Sequence, residues 1–234
     1  ERVVSSRALQ DAAVFCTMFP SMWERPTSGA GWHNRSFGDW PSRLRQLGHE
    51  PVFATITTVS GWHVLRRVAS VRSQFAATRS VPLESMLPWR TLLAYCLGTG
   101  WIGAYRRWRA AHPCVSARFD GIDVGPLLLR ELDRDLRSPE VSLNLCVAEG
   151  TYRLATRLAR VACATHAFEY QPMEKAFASG LSLAHPGAPV VGLQTGLTGS
   201  SHLGYWFPRE QVRHTRSERA PRLAPVPDLI AVNG

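Results

Sequence analysis

Lysine is almost missing from this sequence. Of its 27 basic residues only Lys175 is a lysine, and the other 26 are arginines. Against 18 acidic residues the formal net charge is +9. A nucleic-acid-binding surface is expected to cluster its basic residues, whereas these arginines are spread along the chain. We therefore predict no nucleic-acid partner, and the charge leaves anionic ligands or a lipid surface as the partners that a basic protein attracts.

Paired cysteines, metal-ligand spacings and long apolar runs are missing as well. The five cysteines are far apart, odd in number and free of any C-x-x-C pair, which is typical of a reduced, cytoplasmic protein. None of the eight histidines stands at a recognised spacing from another ligand, so we expect no metal and no cofactor. The longest uncharged apolar run, residues 91–105, has 15 residues and is too short to span a bilayer. The predicted location is the cytoplasm, with the inner face of the membrane as an alternative.

Short apolar runs rich in β-branched and aromatic residues alternate with helical patterns along the chain. The spacing predicts strands at 13–19, 51–58, 165–170, 189–195 and 228–232, and helices that include 39–48, 123–136, 143–162 and 172–184. This alternation is typical of an α/β fold with parallel strands. We predict a Rossmann-like, mostly parallel sheet in one lobe, residues 1–219, with a helical insertion at about 61–162. Residues 220–234 are predicted to be a linker and a strand leading to a second lobe that is missing here.

Two carboxylates follow the predicted strand 165–170, and ligands of parallel sheets bind at the carboxyl ends of their strands. Glu169 leaves this strand and could act as a general base or stabilise a developing positive charge. Glu174 lies in the first turn of the next helix. For Glu174 the alternative is a carboxylate that only complements the helix dipole.

Two polar loops after predicted strands are candidate binding segments. Aromatic and polar side chains together, as in residues 31–40, suit sugar recognition. Residues 192–202 could present backbone N–H groups to an anionic or hydroxylated ligand, although they lack a dinucleotide fingerprint and a P-loop lysine. For both segments an ordinary connecting loop is the alternative. The candidate residues are His33, Asn34 and Arg35 in the first loop and Gln194, Thr195 and His202 in the second.

The segment from Trp89 to Trp108 is rich in aromatic residues and arginines. A segment of this composition could rest at a lipid interface. It could equally form a buried helical hairpin with a basic rim, and the sequence leaves both interpretations open.

A recognisable pattern runs through the C-terminal third of the chain. It consists of Glu169-x-x-x-x-Glu174-Lys175, then Val190-Val191-Gly192-Leu193-Gln194, then the segment from Pro225 to Gly234. This pattern resembles bacterial surface-carbohydrate biosynthesis proteins, which are glycosyltransferases with a GT-B fold. Phe37 to Pro51 is similar to the family's first strand–helix–strand turn. The chain departs from the family at Thr195, where relatives have a histidine.

The resemblance implies the N-terminal, acceptor-side lobe of a GT-B glycosyltransferase. Such an enzyme transfers a sugar from a nucleotide-sugar donor to a cell-surface glycan; the donor would bind mainly to the missing lobe, and this fragment alone would lack turnover. Glu169 would be the catalytic carboxylate, and Arg35 and Arg209 would bind anionic groups of the substrates. The alternatives are a non-catalytic carbohydrate-binding or scaffold lobe in envelope polysaccharide assembly, and a basic nucleotide-binding regulator.

Overall fold

The computed structural model describes residues 11–19, 21–24, 33–57, 75, 78, 80–99, 101–136, 138–168, 172–194 and 227–232. The strands in these residues are β1 Ala12–Phe19, β2 Trp23–Glu24, β3 His33–Asn34, β4 Glu50–Thr57, β5 Ser80–Pro82, β6 Arg118–Phe119, β7 Ile122–Asp123, β8 Val161–Ala167, β9 Val190–Gln194 and β10 Leu229–Val232. The α-helices are α1 Trp40–Gln46, α2 Trp89–Cys96, α3 Ile102–Ala111, α4 Gly125–Asp135, α5 Pro139–Ala155 and α6 Pro172–Ala184, and a 3-10 helix covers Leu83–Met86.

Six of these strands form one sheet in the order β10-β9-β8-β1-β4-β5, and every neighbouring pair is parallel. Counted along the chain, the strands lie in the order 6-5-4-1-2-3 across the sheet, which is the order of Rossmann dinucleotide-binding sheets. Two short antiparallel pairs, β2 with β3 and β6 with β7, stand apart from it. The predicted α/β fold with a parallel, Rossmann-like sheet is therefore confirmed.

The central strands are buried on both faces, which explains why they are apolar without alternation. On one face Val14 of β1 belongs to the same buried cluster as Phe177 of α6. On the other face the ring of Phe15 packs against those of Phe37 and Phe53, at centroid distances of 5.0 and 5.3 Å. The sheet is thus held between a helical layer and a smaller aromatic cluster.

Two glycines allow the helical layer to pack closely. A Cβ added to Gly180 of α6 would lie 2.1 Å from the carbonyl oxygen of Ala148 in α5. A Cβ added to Gly150 of α5 would lie 2.6 Å from the carbonyl oxygen of Leu83. Both positions therefore require the absence of a side chain, because backbone occupies the space that it would need.

Three predictions of secondary structure are wrong. The predicted helix 143–162 ends at Ala155, and β8 begins at Val161 and ends at Ala167 instead of covering 165–170. The sequence from Val161 to Ala164 is apolar and made of small residues, so it continues a helical pattern as readily as it starts a buried strand. The predicted helical insertion at about 61–162 missed β5, a three-residue edge strand whose Pro82 is tolerated because edge strands need fewer ladder donors.

The chain divides into two compact units, residues 1–86 with 147–234 and residues 87–146. The first contains the six-stranded sheet. The second contains α2, α3, α4, and the β6–β7 pair. The predicted linker at 220–226 lies outside the described residues, and the second lobe remains a prediction. Within the described residues, no helix combines the length and the apolar character needed to cross a membrane.

Candidate ligand crevice at the carboxyl edge of the sheet

β1 and β8 are neighbouring strands at the centre of the sheet, and the strands that follow them in the chain are added on opposite sides. It continues from β1 to β4 on one side and from β8 to β9 on the other. In open α/β sheets this arrangement leaves a crevice outside the carboxyl ends of the two strands, where ligands bind. In this chain that position lies beyond Phe19 and Ala167, the last residues of β1 and β8, and we call it the candidate crevice.

A buried cluster of three titratable side chains lies at this edge, on the face that α6 covers. Cys16 and His166 are paired across β1 and β8, and Glu174 lies in the first turn of α6. Their exposed fractions are only 5%, 2% and 5%. His166 Nδ1 and Glu174 Oε2 are 3.9 Å apart, which is too long for a hydrogen bond but short enough for electrostatic interaction.

Burial decides the protonation of this cluster. Burial lowers the pKa of His166, and the hydrogen bond that Nδ1 donates to the carbonyl oxygen of Ala167, at 2.7 Å, opposes the shift only in part. Burial also raises the pKa of the Cys16 thiol far above its ordinary value, and the Glu174 carboxylate raises it further. A buried, protonated thiol is inert. The cluster therefore supplies a neutral imidazole beside Glu174, and its thiol is not a nucleophile.

The second nitrogen of His166 has an unfilled acceptor position. Nε2 is buried and has no hydrogen-bond partner among the described residues. Because Nδ1 carries the proton, Nε2 is an acceptor. An unsatisfied buried acceptor costs about 1–3 kcal/mol, so a hydroxyl group or a water molecule that reached it would be stabilised there.

Asn34 fixes the loop after β1 on the other face of the sheet. Its side-chain amide donates to Thr17 Oγ1 at 2.6 Å, and its Oδ1 accepts from the backbone N–H of Ser36 at 3.0 Å. Asn34 is only 2% exposed. The amide predicted to bind substrate is thus engaged within the protein, where it ties the loop to the end of β1.

His33 and Arg35, which flank Asn34, both lie near Glu24. Both are about half exposed, with Arg35 Nη1 at 3.1 Å and His33 Nε2 at 3.7 Å from the Glu24 carboxylate oxygens. Arg35 also donates to the carbonyl oxygen of Ser21 at 3.1 Å. The three neighbouring candidates are therefore separated: one is buried, and two form an exposed cluster around an acid.

Glu84 is a carboxylate at this edge that the sequence did not reveal. The backbone N–H of Thr57, at the carboxyl end of β4, donates to Glu84 Oε1 at 2.9 Å, and the Thr57 hydroxyl lies 3.5 Å from Oε2. Glu84 follows β5, and because that strand was missed, nothing placed Glu84 near the crevice. The available signal in the sequence was a short strand that ends at Pro82 and is followed by an acidic residue, Glu84.

Three segments of the chain meet at Gly192 in β9. A Cβ added there would lie 2.9 Å from Pro227 Cγ and 3.0 Å from Phe168 Cβ. Asp228 fixes the start of β10 on β9, because its N–H donates to the carbonyl oxygen of Val190 and its Oδ2 accepts from the N–H of Val190, both at 2.8 Å. The half-buried Gln194 ends β9 at the same edge of the sheet as the crevice.

The structure thus brings Asn34, Glu174 and Gln194 to the carboxyl edge of one sheet. Four predicted site residues lie outside the described residues, and their roles remain predictions. These are Glu169, Thr195, His202 and Arg209. β8 itself ends at Ala167.

The described residues contain no group of three or more histidine, cysteine or acidic side chains that could hold a metal ion. No protein-family model, no curated protein and no solved structure matches the chain. The fold defines a Rossmann-like α/β protein, and its candidate ligand crevice lies at the β1–β8 switch point.

Proposed function

We propose that the chain is the acceptor-side lobe of a GT-B-fold glycosyltransferase that transfers a sugar from a nucleotide-sugar donor to a cell-surface glycan. The observation that carries the proposal is the meeting of three segments at Gly192. The resemblance to surface-carbohydrate glycosyltransferases rests on the segments around Glu169–Lys175, Val190–Gln194 and Pro225–Gly234. Phe168, Gly192 and Pro227, one from each segment or directly beside it, approach within about van der Waals contact.

The pairing of Arg35 supports the acceptor side rather than the donor side. Arg35 lies beside the candidate crevice and is already paired with Glu24. A diphosphate is usually bound by arginines or by helix N-termini that remain available. An arginine that is already paired suits a neutral acceptor rich in hydroxyl groups better than a diphosphate.

In the proposed reaction, the acceptor hydroxyl oxygen attacks the anomeric carbon of the donor sugar while the bond from that carbon to the diphosphate breaks. A carboxylate takes the hydroxyl proton, as general-base catalysis requires. Glu169 is the residue to which the resemblance assigns this role. Acids near the sugar also stabilise the positive charge that its ring develops. Glu174 is too deeply buried to reach an acceptor in the open crevice, and its proposed role is to orient groups from beneath.

The first test is transfer from radiolabelled nucleotide sugars to cell-envelope glycan by the natural polypeptide that contains this chain. We expect Glu169→Gln to lower kcat by about 100-fold or more, because general bases contribute about that much. The control is Glu140→Gln, which changes an exposed acid on α5 and should leave kcat unchanged. If Glu169→Gln transfers at the rate of the parent protein, Glu169 has no part in the mechanism.

The second test separates the proposal from its alternatives by binding. Calorimetry with the 234-residue chain should show binding of envelope oligosaccharides and no tight binding of nucleotides. Tight nucleotide binding would contradict the acceptor-side assignment and favour the nucleotide-binding regulator. Binding of oligosaccharide together with a complete lack of transfer by the natural polypeptide would favour the scaffold.

A further inference from the structure

The exposed face of α2 is apolar, which is the reverse of what water favours for a surface helix. Trp89, Leu93 and Leu97 follow one another at helical spacing and are 68%, 48% and 64% exposed. Arg90 and Cys96 are the other exposed residues of this stretch, and they lie on the same side of the helix. Exposed tryptophan and leucine side chains in one row mark an interaction surface when nothing in their own protein covers them.

Arginines accompany this face, and one of them, Arg109, is paired with Asp133 at 3.9 Å. Residues 85–119 contain five arginines and no acidic residue. Within the described part of the chain, no carboxylate forms an ion pair with Arg90, Arg106 or Arg107. The guanidinium of Arg90 lies over its neighbour's ring, 5.5 Å from the centroid of Trp89. The exposed indole therefore carries a cation over its face.

A cavity connects the apolar face with the arginines of α3. Its volume is about 730 Å³, and its lining includes Cys96, Leu97, Trp101, Ile102 and Arg106. The end of α2 and the second turn of α3 therefore border the same opening. Arg109 and Asp133, which form an ion pair, also line it. The aliphatic and aromatic wall together with the exposed guanidinium of Arg106 matches a molecule that is apolar at one end and anionic at the other.

The charge distribution distinguishes among the possible occupants of this surface. In a twofold dimer the same patch meets itself, so the arginines of one copy would face those of the other, and like charges disfavour that contact. At an anionic bilayer surface each feature has a partner: indole and leucine side chains enter the boundary between headgroups and acyl chains, and arginines extend to the phosphates.

We propose that this surface, formed by Trp89, Arg90, Leu93, Leu97 and Arg106, docks the protein on a bilayer that contains anionic phospholipids. The docking does not depend on the proposed glycosyltransferase activity. Helix α2 lies in the plane of the interface with its exposed face in the headgroup region. Juxtaposed arginines add electrostatic attraction that an uncharged bilayer cannot supply.

Co-sedimentation of the full chain with vesicles tests the proposal. The vesicles consist of phosphatidylcholine alone or of phosphatidylcholine with about one-third phosphatidylglycerol, and we expect binding to the second kind only. Leu93→Gln should weaken the partition coefficient about tenfold or more, since it removes a buried leucine from the bound state. Arg90→Gln should weaken it about fivefold, which is the contribution of one basic residue near an anionic surface.

Matched controls change similar side chains elsewhere. Leu183→Gln changes a leucine of α6 that is 63% exposed, and Arg134→Gln changes an exposed arginine that pairs with Glu131. Both should bind vesicles as the parent chain does. Circular dichroism of each variant, matching the parent, shows that the fold is intact.

A fluorescent label reports which face meets the lipid. Cys96 and Cys114 are the exposed cysteines. Cys114→Ser leaves Cys96 for labelling with an environment-sensitive dye, and Cys96→Ser leaves Cys114, which lies off α2. Anionic vesicles should shift the Cys96 label to the blue and leave the Cys114 label unchanged. Equal binding to neutral vesicles, no binding, undiminished binding of Leu93→Gln, or self-association that Leu93→Gln abolishes would each overturn the proposal.

Discussion

Helix propensity alone predicts that replacing Gly180 with alanine stabilises the protein. The contact between α5 and α6 predicts the opposite. Gly180 lies in the middle of α6 and is fully enclosed by α5. The Cβ of Gly180→Ala would lie 2.1 Å from the carbonyl oxygen of Ala148 and 3.0 Å from Thr151 Cβ. The nearest atom belongs to the backbone, so no rotamer change can relieve the overlap, and the two helices must move apart.

The magnitude follows from two opposing terms. Replacing a helical glycine with alanine is worth about 0.5–1 kcal/mol in favour of folding, because the unfolded chain loses freedom. Forcing an extra carbon into a packed interior costs about 1–3 kcal/mol or more. An overlap with backbone belongs to the upper part of that range. We therefore expect Gly180→Ala to lower the free energy of unfolding by about 1–2 kcal/mol.

Urea unfolding followed by circular dichroism measures this change, and Gly103→Ala is its control. Gly103 also lies inside a helix, α3, but a Cβ there would meet only the flexible end of Arg107 at 3.7 Å. Gly103→Ala should therefore leave stability unchanged or raise it by up to about 1 kcal/mol. A stabilised Gly180→Ala variant, behaving like the Gly103 control, would refute the close approach of the two helices.

Two further predictions concern the crevice, and a third concerns the start of β9 and β10. Asn34→Ala should lower the free energy of unfolding, measured by urea titration, by about 1–3 kcal/mol, because the buried Thr17 hydroxyl loses its donor. Asn34→Asp also lacks the amide donor and should destabilise the protein as well. Burial lowers the pKa of His166, so the unfolded chain binds the proton more readily, and stability should fall as the pH drops through the ordinary value of about 6.5; a melting temperature equally pH-dependent in His166→Phe would contradict this. Asp228→Ala should cost about 1 kcal/mol through the lost acceptor of Val190, whereas Asp228→Asn, which keeps an oxygen, should cost less.

Secondary structure was predictable where local pattern and burial agree. The strands β1 and β4 are long and buried on both faces, and α6 begins at Pro172, as predicted, because proline suits the first turn of a helix. The prediction failed for β5, which has three residues and gains its place only by pairing with β4. It failed at the start of β8 because small apolar residues fit both a helix and a buried strand.

The position of a site residue was predictable only where it follows from the helix or strand that carries the residue, without contacts to distant parts of the chain. Glu174 and Gln194 lie at the carboxyl edge because the helix and strand that carry them were recognised. The contacts of Asn34 with Thr17 and of Glu84 with Thr57 span 17 and 27 positions, so they depend on how strands are ordered in the sheet. Sequence showed that Asn34 is a polar residue in a loop after a strand, but not that its amide is already engaged.

The excess of arginine, first visible in the composition, is unevenly compensated. In the unit that contains the sheet, Arg35, Arg153 and Arg160 lie 3.1, 2.7 and 3.2 Å from carboxylates. Exposed pairs of this kind contribute little to stability, but they cancel charge locally. Arg109 of α3 is likewise 3.9 Å from Asp133. Within the described residues, Arg90, Arg106 and Arg107 form no ion pair with a carboxylate, and they accompany the exposed apolar face of α2. A surface that combines these arginines with exposed tryptophan and leucine side chains matches the anionic bilayer proposed above as its partner.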